Sequence, residues 1–113
     1  MPEEYEALLE ELKGTGIPFE EYGWKTSPAG DYGVVSLEFE VGVLEGNDEK
    51  QYRSFQGSVD LFYRALALRE TYTALIENAL TAVCGTSWSL NQLQHEHDTG
   101  YFHAEWVFEV EGW

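Results

Sequence analysis

Arg53-Ser54-Phe55-Gln56-Gly57-Ser58-Val59-Asp60-Leu61-Phe62-Tyr63 alternates in character. Phe55, Val59, Leu61 and Tyr63 fall on one side, and Ser54, Gln56, Ser58 and Asp60 on the other. A period of two marks a half-buried strand. The period then changes. Leu68, Tyr72, Leu75, Ile76, Ala79, Leu80 and Val83 recur at i, i+4, i+7, i+8, i+11, i+12 and i+15, an apolar stripe along a helix of about four turns. A strand therefore feeds a helix, and the helix must bury its stripe on something.

Working outward, the long run from Tyr32 or Gly33 to Leu44 precedes this strand. Counting by two places Val35, Leu37, Phe39, Val41 and Val43 on one face, with Val34, Ser36, Glu38, Glu40 and Gly42 on the other. Glu45-Gly46-Asn47-Asp48-Glu49-Lys50 reads as a polar hairpin loop, so the two strands run antiparallel. Upstream, residues 2 to 13 read as a helix with a Tyr5, Leu8, Leu9, Leu12 stripe. Glu3, Glu4 and Glu6 suit its positive end, and Gly14 and Gly16 stop it. Pro18 places the extended segment around Phe19 at a sheet edge or starts it after the proline, and Thr26 to Asp31 is a turn by composition. Downstream, Gly85-Thr86-Ser87 breaks the second helix. Trp88 to His95 reads as a strand, Asp98-Thr99-Gly100 as a turn, and Tyr101 to Val110 as a faultless alternation with Phe102, Ala104, Trp106, Phe108 and Val110 on one face.

The expected order is α-β-β-β-α-β-β. The expected fold is α+β: a two-layer sandwich, largely antiparallel, with both helices on the apolar face of the sheet. The other face then collects Glu38, Glu40, Asp60, Glu105 and Glu109 as a candidate acidic surface. Like charges across neighbouring strands are destabilising, so such a face is either simply solvated or selected to be acidic.

At 113 residues, the chain is expected to be one domain, 1–113, with one core. Twenty-one acids against six bases give a formal net charge of −15. A chain so charged repels nucleic acid rather than holding its phosphates, which leaves three readings: solubility, a surface that DNA passes without sticking, or imitation of DNA. No apolar run approaches the ~20 residues of a membrane span. The acidic start, Met1-Pro2-Glu3-Glu4, is not that of a secretory signal, so a cytoplasmic or assembled protein is expected. The lone Cys84, with no local cation or base, is read as a small buried residue.

His95, His97 and His103 form the one cluster with ligand chemistry. On strands, His95 and His97 point the same way and His103 approaches them, as a divalent metal would need. The cluster sits at a hairpin turn, however, where polar residues are exposed by default, so no metal and no cofactor are assigned. No nucleophile elbow, phosphate loop, dinucleotide fingerprint or zinc-protease motif is present. Paired carboxylates are too abundant to signify, and no apolar pocket is evident to raise a carboxyl pKa, so no catalytic residue is expected. Seven Tyr, six Phe and four Trp are more than one small core holds. Tyr52, Phe62, Tyr101 and Trp113 are the candidates for contacts with partners.

Gly57-Ser58-Val59-Asp60-Leu61-Phe62 before an amphipathic helix resembles small morphogenesis proteins of tailed phages and prophages. So do Trp24 with Ser27-Pro28-Ala29-Gly30-Asp31-Tyr32-Gly33, and His103-Ala104-Glu105-Trp106. The element order is similar to that of the tail terminator (tail completion, or head–tail joining) proteins of long-tailed phages. The resemblance implies a structural, non-enzymatic subunit of a homo-oligomeric ring, typically a hexamer, that caps the tail tube and joins it to the head while DNA passes through. The partners it implies are tail-tube and head-completion proteins, with no specific nucleic-acid binding and no membrane. The location it implies is the virion tail or neck, and the host cytoplasm during assembly. Two other classes stay open: an acidic DNA mimic that blocks a basic host protein, and a small metal-dependent enzyme built on the histidines.

Overall fold

A computed structural model describes residues 2–44 and 52–112. The expected loop at 45–50, together with Trp113, lies outside the described residues, as do the side chains of residues 39–44, 52 and 53. The order is α1 (Glu3–Lys13), β1 (Phe19–Glu21), β2 (Tyr32–Leu44), β3 (Tyr52–Tyr63), a 3-10 turn at Leu66–Leu68, α2 (Arg69–Cys84), β4 (Trp88–His95) and β5 (Phe102–Gly112). The fold is α+β, with a five-stranded sheet in the order β1-β2-β3-β5-β4. Among the described residues, no helix is long and apolar enough to cross a membrane.

Both helices pack on one face, as their stripes require. Tyr5, Leu8 and Leu12 of α1 and Ile76, Ala79 and Leu80 of α2 are buried. They join Val35, Val59, Leu61, Tyr63, Ala104, Trp106, Phe108 and Val110 of the sheet in one apolar cluster. The aromatic polar atoms within this layer find partners. Trp106 Nε1 donates to Glu77 Oε2 at 2.9 Å, and Tyr5 Oη donates to Glu21 Oε2 at 3.1 Å. The 3-10 turn delays the start of α2 to Arg69, one residue past the Leu68 expected from the stripe.

The sheet departs from the expectation in two ways. β1 is only three residues long and runs parallel to β2, Phe19 beside Gly33 through Glu21 beside Val35. The loop between them reverses through Tyr22 at φ 63 and Gly23 at φ 130. Second, β2 does not alternate to its end. Its register against β3 shifts between Leu37 and Phe39 and again between Glu40 and Gly42. A bulge adds a residue to one strand only, so counting by two fails beyond it. Phe39 lies opposite Gln56 and Glu40 opposite Phe55. The faces assigned to Phe39 and Glu40 by counting therefore do not carry past Leu37.

Gly57 sits where β2 and β5 crowd β3. A Cβ there would collide with the Ser36 carbonyl oxygen and the Phe108 ring. Trp106 is 1 % exposed at the centre of the apolar layer. We expect Trp106→Ala to cost about 3–5 kcal/mol and Gly57→Ala about 1–3 kcal/mol, read by denaturant melts. Leu66→Ala, at a site 55 % exposed, should stay within about 0.5 kcal/mol of the parent.

Candidate functional site

The face of the sheet away from the helices carries the candidate site. Across it, Asp60 of β3 lies opposite Glu105 of β5, and Gln56 opposite Glu109. Glu38 lies at the β2 bulge, beside Ser58. Each of these four carboxylates accepts a hydrogen bond from a neighbour that is not Lys or Arg. Ser58 Oγ donates to Glu38 Oε1 at 2.7 Å, and Ser54 Oγ to Glu109 Oε1 at 3.0 Å. Asn91 Nδ2 donates to Glu105 Oε1 at 2.7 Å. His103 Nε2 lies 2.7 Å from Asp60 Oδ1. Hydroxyl and amide donors orient a carboxylate without cancelling its charge. The face thus stays acidic while its side chains are held in place. Of the expected acidic set, Glu38, Asp60, Glu105 and Glu109 are brought together here; the side chain of Glu40 lies outside the described residues.

One end of this face is aromatic. Tyr32 stacks on Phe62 at 4.9 Å between centroids, and Phe62 stacks on His103 at 4.3 Å. Tyr101 meets both Tyr32 and Phe62 edge-on, and Trp24 meets Tyr32 likewise. The β1–β2 loop closes this end. Tyr101 Oη donates to the Gly30 carbonyl at 2.9 Å, and Trp24 Nε1 to the Gly33 carbonyl at 3.0 Å. Arg64 lies 4.3 Å over the Tyr101 ring. From the helix side, Tyr72 Oη donates to Asp31 Oδ2 at 2.7 Å, and that bond pushes the phenol pKa up to about 12. The sequence pattern places Phe62 beside His103 once β3 and β5 are paired, but it does not show the loop that buries them.

The partner-facing candidates divide accordingly. Tyr101 is 7 % exposed and Phe62 is half-buried, so both rings are used inside this chain. The side chain of Tyr52, and Trp113 as a whole, lie outside the described residues. Among the described residues, the large apolar side chains that are exposed are others: Tyr22, Leu66, Leu90 and Leu93. Periodicity gave no sign of Leu90 and Leu93, because exposure on β4 depends on that strand being last in the sheet.

The structure separates the histidines. His95 stacks on Phe102 at 4.4 Å, and its ring lies 5.2 Å from that of His97. Phe102 and His103 are consecutive in a strand and so point to opposite faces. His103 is thereby parted from the other two. Among the described residues, no group of three or more His, Cys, Asp or Glu is placed to hold a metal ion. Cys84 is half-buried, and burial, with Glu4 nearby, pushes its thiol up to about 12. A thiol so shifted stays protonated and unreactive near neutrality.

The hydrogen bond to Asp60 raises the His103 pKa above its ordinary 6.5; burial opposes this, and the charges of Asp60, Glu96 and Glu105 add to it. Glu96 Oε2 lies 3.7 Å from Nδ1. A raised folded-state pKa stabilises the fold fully below the ordinary value, and the contribution fades as pH rises through the folded-state value. His103→Gln should therefore lose most stability relative to the parent below pH 6.5, with the gap narrowing at higher pH. Thermal melts across that range measure it, and a gap independent of pH would show that the imidazole acts by shape alone.

No protein-family model matches the chain, and no curated protein matches it by sequence. Among solved structures, it is similar to a chain in the virion of a native gene transfer agent (GTA) particle. The TM-score is 0.59 at 15 % identity, over 98 % of this chain and 94 % of that one. At that identity the likeness establishes a shared fold.

Proposed function

We propose that the protein is a structural subunit of a phage or phage-related virion: a tail terminator or tail completion protein. In this reading, copies assemble into a ring, a hexamer by resemblance, that joins the tail tube to the head. The acidic sheet face lets DNA pass without sticking. The observation that carries the reading is the likeness, along almost the whole of both chains, to a component of a gene transfer agent virion. The acidic face supports it. Carboxylates held by Ser and Asn donors keep their charge, and a surface of one sign repels the phosphates of passing DNA. The function asks for no catalytic residue, only for a fold that presents this face.

The purified protein should form rings at high concentration, seen by light scattering after size exclusion and by negative-stain microscopy. Subunits of net charge −15 repel one another, so added salt should promote the ring by screening. Assembly that weakens steadily with salt would show interfaces held by ion pairs instead. The triple variant Glu38→Lys, Glu105→Lys, Glu109→Lys should retain double-stranded DNA at low ionic strength, whereas the parent should not. Retention by the parent would overturn the proposed passage role. A tight monomer or dimer that captures basic nucleic-acid enzymes would favour a DNA mimic.

A further inference from the structure

We propose that His103 is a proton-operated clamp: charged, it ties the turn at residues 96–101 to the acidic face through Glu96, and neutral, it releases that turn. The geometry lies in the two ring nitrogens. Nε2 is 2.7 Å from Asp60 Oδ1, on β3. Nδ1 is 3.7 Å from Glu96 Oε2, in the turn between β4 and β5, close enough for an ion pair but too long for a hydrogen bond. Nδ1 is buried and has no hydrogen-bond partner among the described residues. The imidazole therefore stands between two carboxylates that belong to different elements.

A neutral imidazole has one N–H and one bare nitrogen. With the proton on Nε2, Asp60 is satisfied and the bare Nδ1 turns its lone pair on Glu96. With the proton on Nδ1, the bare Nε2 meets Asp60 at 2.7 Å, which is worse. Only the doubly protonated ring offers an N–H to each side. Phe62, stacked on the ring at 4.3 Å, covers one of its faces.

Three carboxylates favour the charged ring: Asp60 from β3, Glu96 from the turn and Glu105 from β5 itself. β4 places uncharged Gln94 opposite His103. From β2, Glu38 is bonded by Ser58, whose hydroxyl is also 3.4 Å from Asp60 Oδ2, and Tyr32 stacks on Phe62. Arg64, after β3, is engaged over the Tyr101 ring and with the Ala29 carbonyl at 3.4 Å. Release reaches beyond Glu96, because the turn closes on that residue. Its Oε1 accepts from Thr99 Oγ1 at 3.0 Å, its N–H donates to the Tyr101 carbonyl at 2.8 Å, and its carbonyl accepts from the Gly100 N–H at 2.9 Å. Tyr101 then carries the bond to Gly30 in the β1–β2 loop. The clamp is independent of the proposed ring and holds whatever the acidic face does.

The test is amide hydrogen exchange on the full chain at about pH 6 and about pH 9, which bracket the titration of histidine, with protection taken relative to the unfolded rate at each pH. Protection of residues 96–101 should fall about three- to fivefold at the higher pH, the scale of a partly exposed ion pair, and fall more than that of the α2 amides. Glu96→Gln removes the second carboxylate and leaves Asp60 in place, so the fall should vanish. His103→Gln should abolish it too, and serves if the first variant melts poorly. His97→Gln, in the same turn, should keep the parent's fall. Any of three results overturns the proposal: turn protection in the parent that does not change with pH, a Glu96→Gln chain that keeps the parent's fall, or a His97→Gln chain that loses it.

Discussion

The pairing of β3 with β5 governs both faces of the molecule. It runs from Tyr63 opposite Phe102 to Arg53 opposite Gly112 without a slip. Side chains alternate along each strand, so this one register sets Val59 with Trp106 and Leu61 with Ala104 towards the helices. It also sets Asp60 with Glu105 and Phe62 with His103 on the other side. A slip of one residue would exchange the two sets and drive carboxylates into an apolar layer. Gly57 permits this ladder, because the Phe108 ring occupies the space a side chain would need.

The same register creates a cost. Asp60 and Glu105 face each other directly, and like charges so placed repel. Among the described residues, no Lys or Arg forms an ion pair with either carboxylate. His103 bonds Asp60 and Asn91 bonds Glu105, each reaching its carboxylate from a neighbouring strand. The arrangement sacrifices some stability to keep an acidic surface ordered. An ordered acidic surface would repel phosphate, which links the packing of the sheet to the proposed passage of DNA.

The aromatic end shows how the two layers are tied together. Tyr32, Phe62, Tyr101 and His103 stack on the acidic side, and the β1–β2 loop is bonded over them. Asp31 of that loop takes the hydroxyl of Tyr72 from the helix layer. The loop therefore bridges both faces around the end of β2. It holds rings that would otherwise lie open to solvent.

Periodicity made much of this legible. The stripes of α1 and α2 and the alternation of β3 and β5 are local patterns, and they were enough for two helices on one side of an acidic-faced sheet. Asp60, Glu105 and Glu109 could be placed on that face because their strands keep step where they lie, whereas Glu38 lies at the bulge and is tied to the face by its bond from Ser58. What tertiary structure alone decided depends on distant partners. The bulges in β2 break the count by two beyond Leu37, because a bulge is defined only against the strand beside it. The parallel pairing of β1, the separation of His103 from His95 and His97, and the burial of Tyr101 all follow from which strand neighbours which. The open edge of β4 is of the same kind: its sequence shows that it lacks charge, but only the strand order shows that it is last. Side-chain period is a property of one segment, whereas edges, bulges and cross-strand contacts belong to pairs of segments and arise only when the chain has folded.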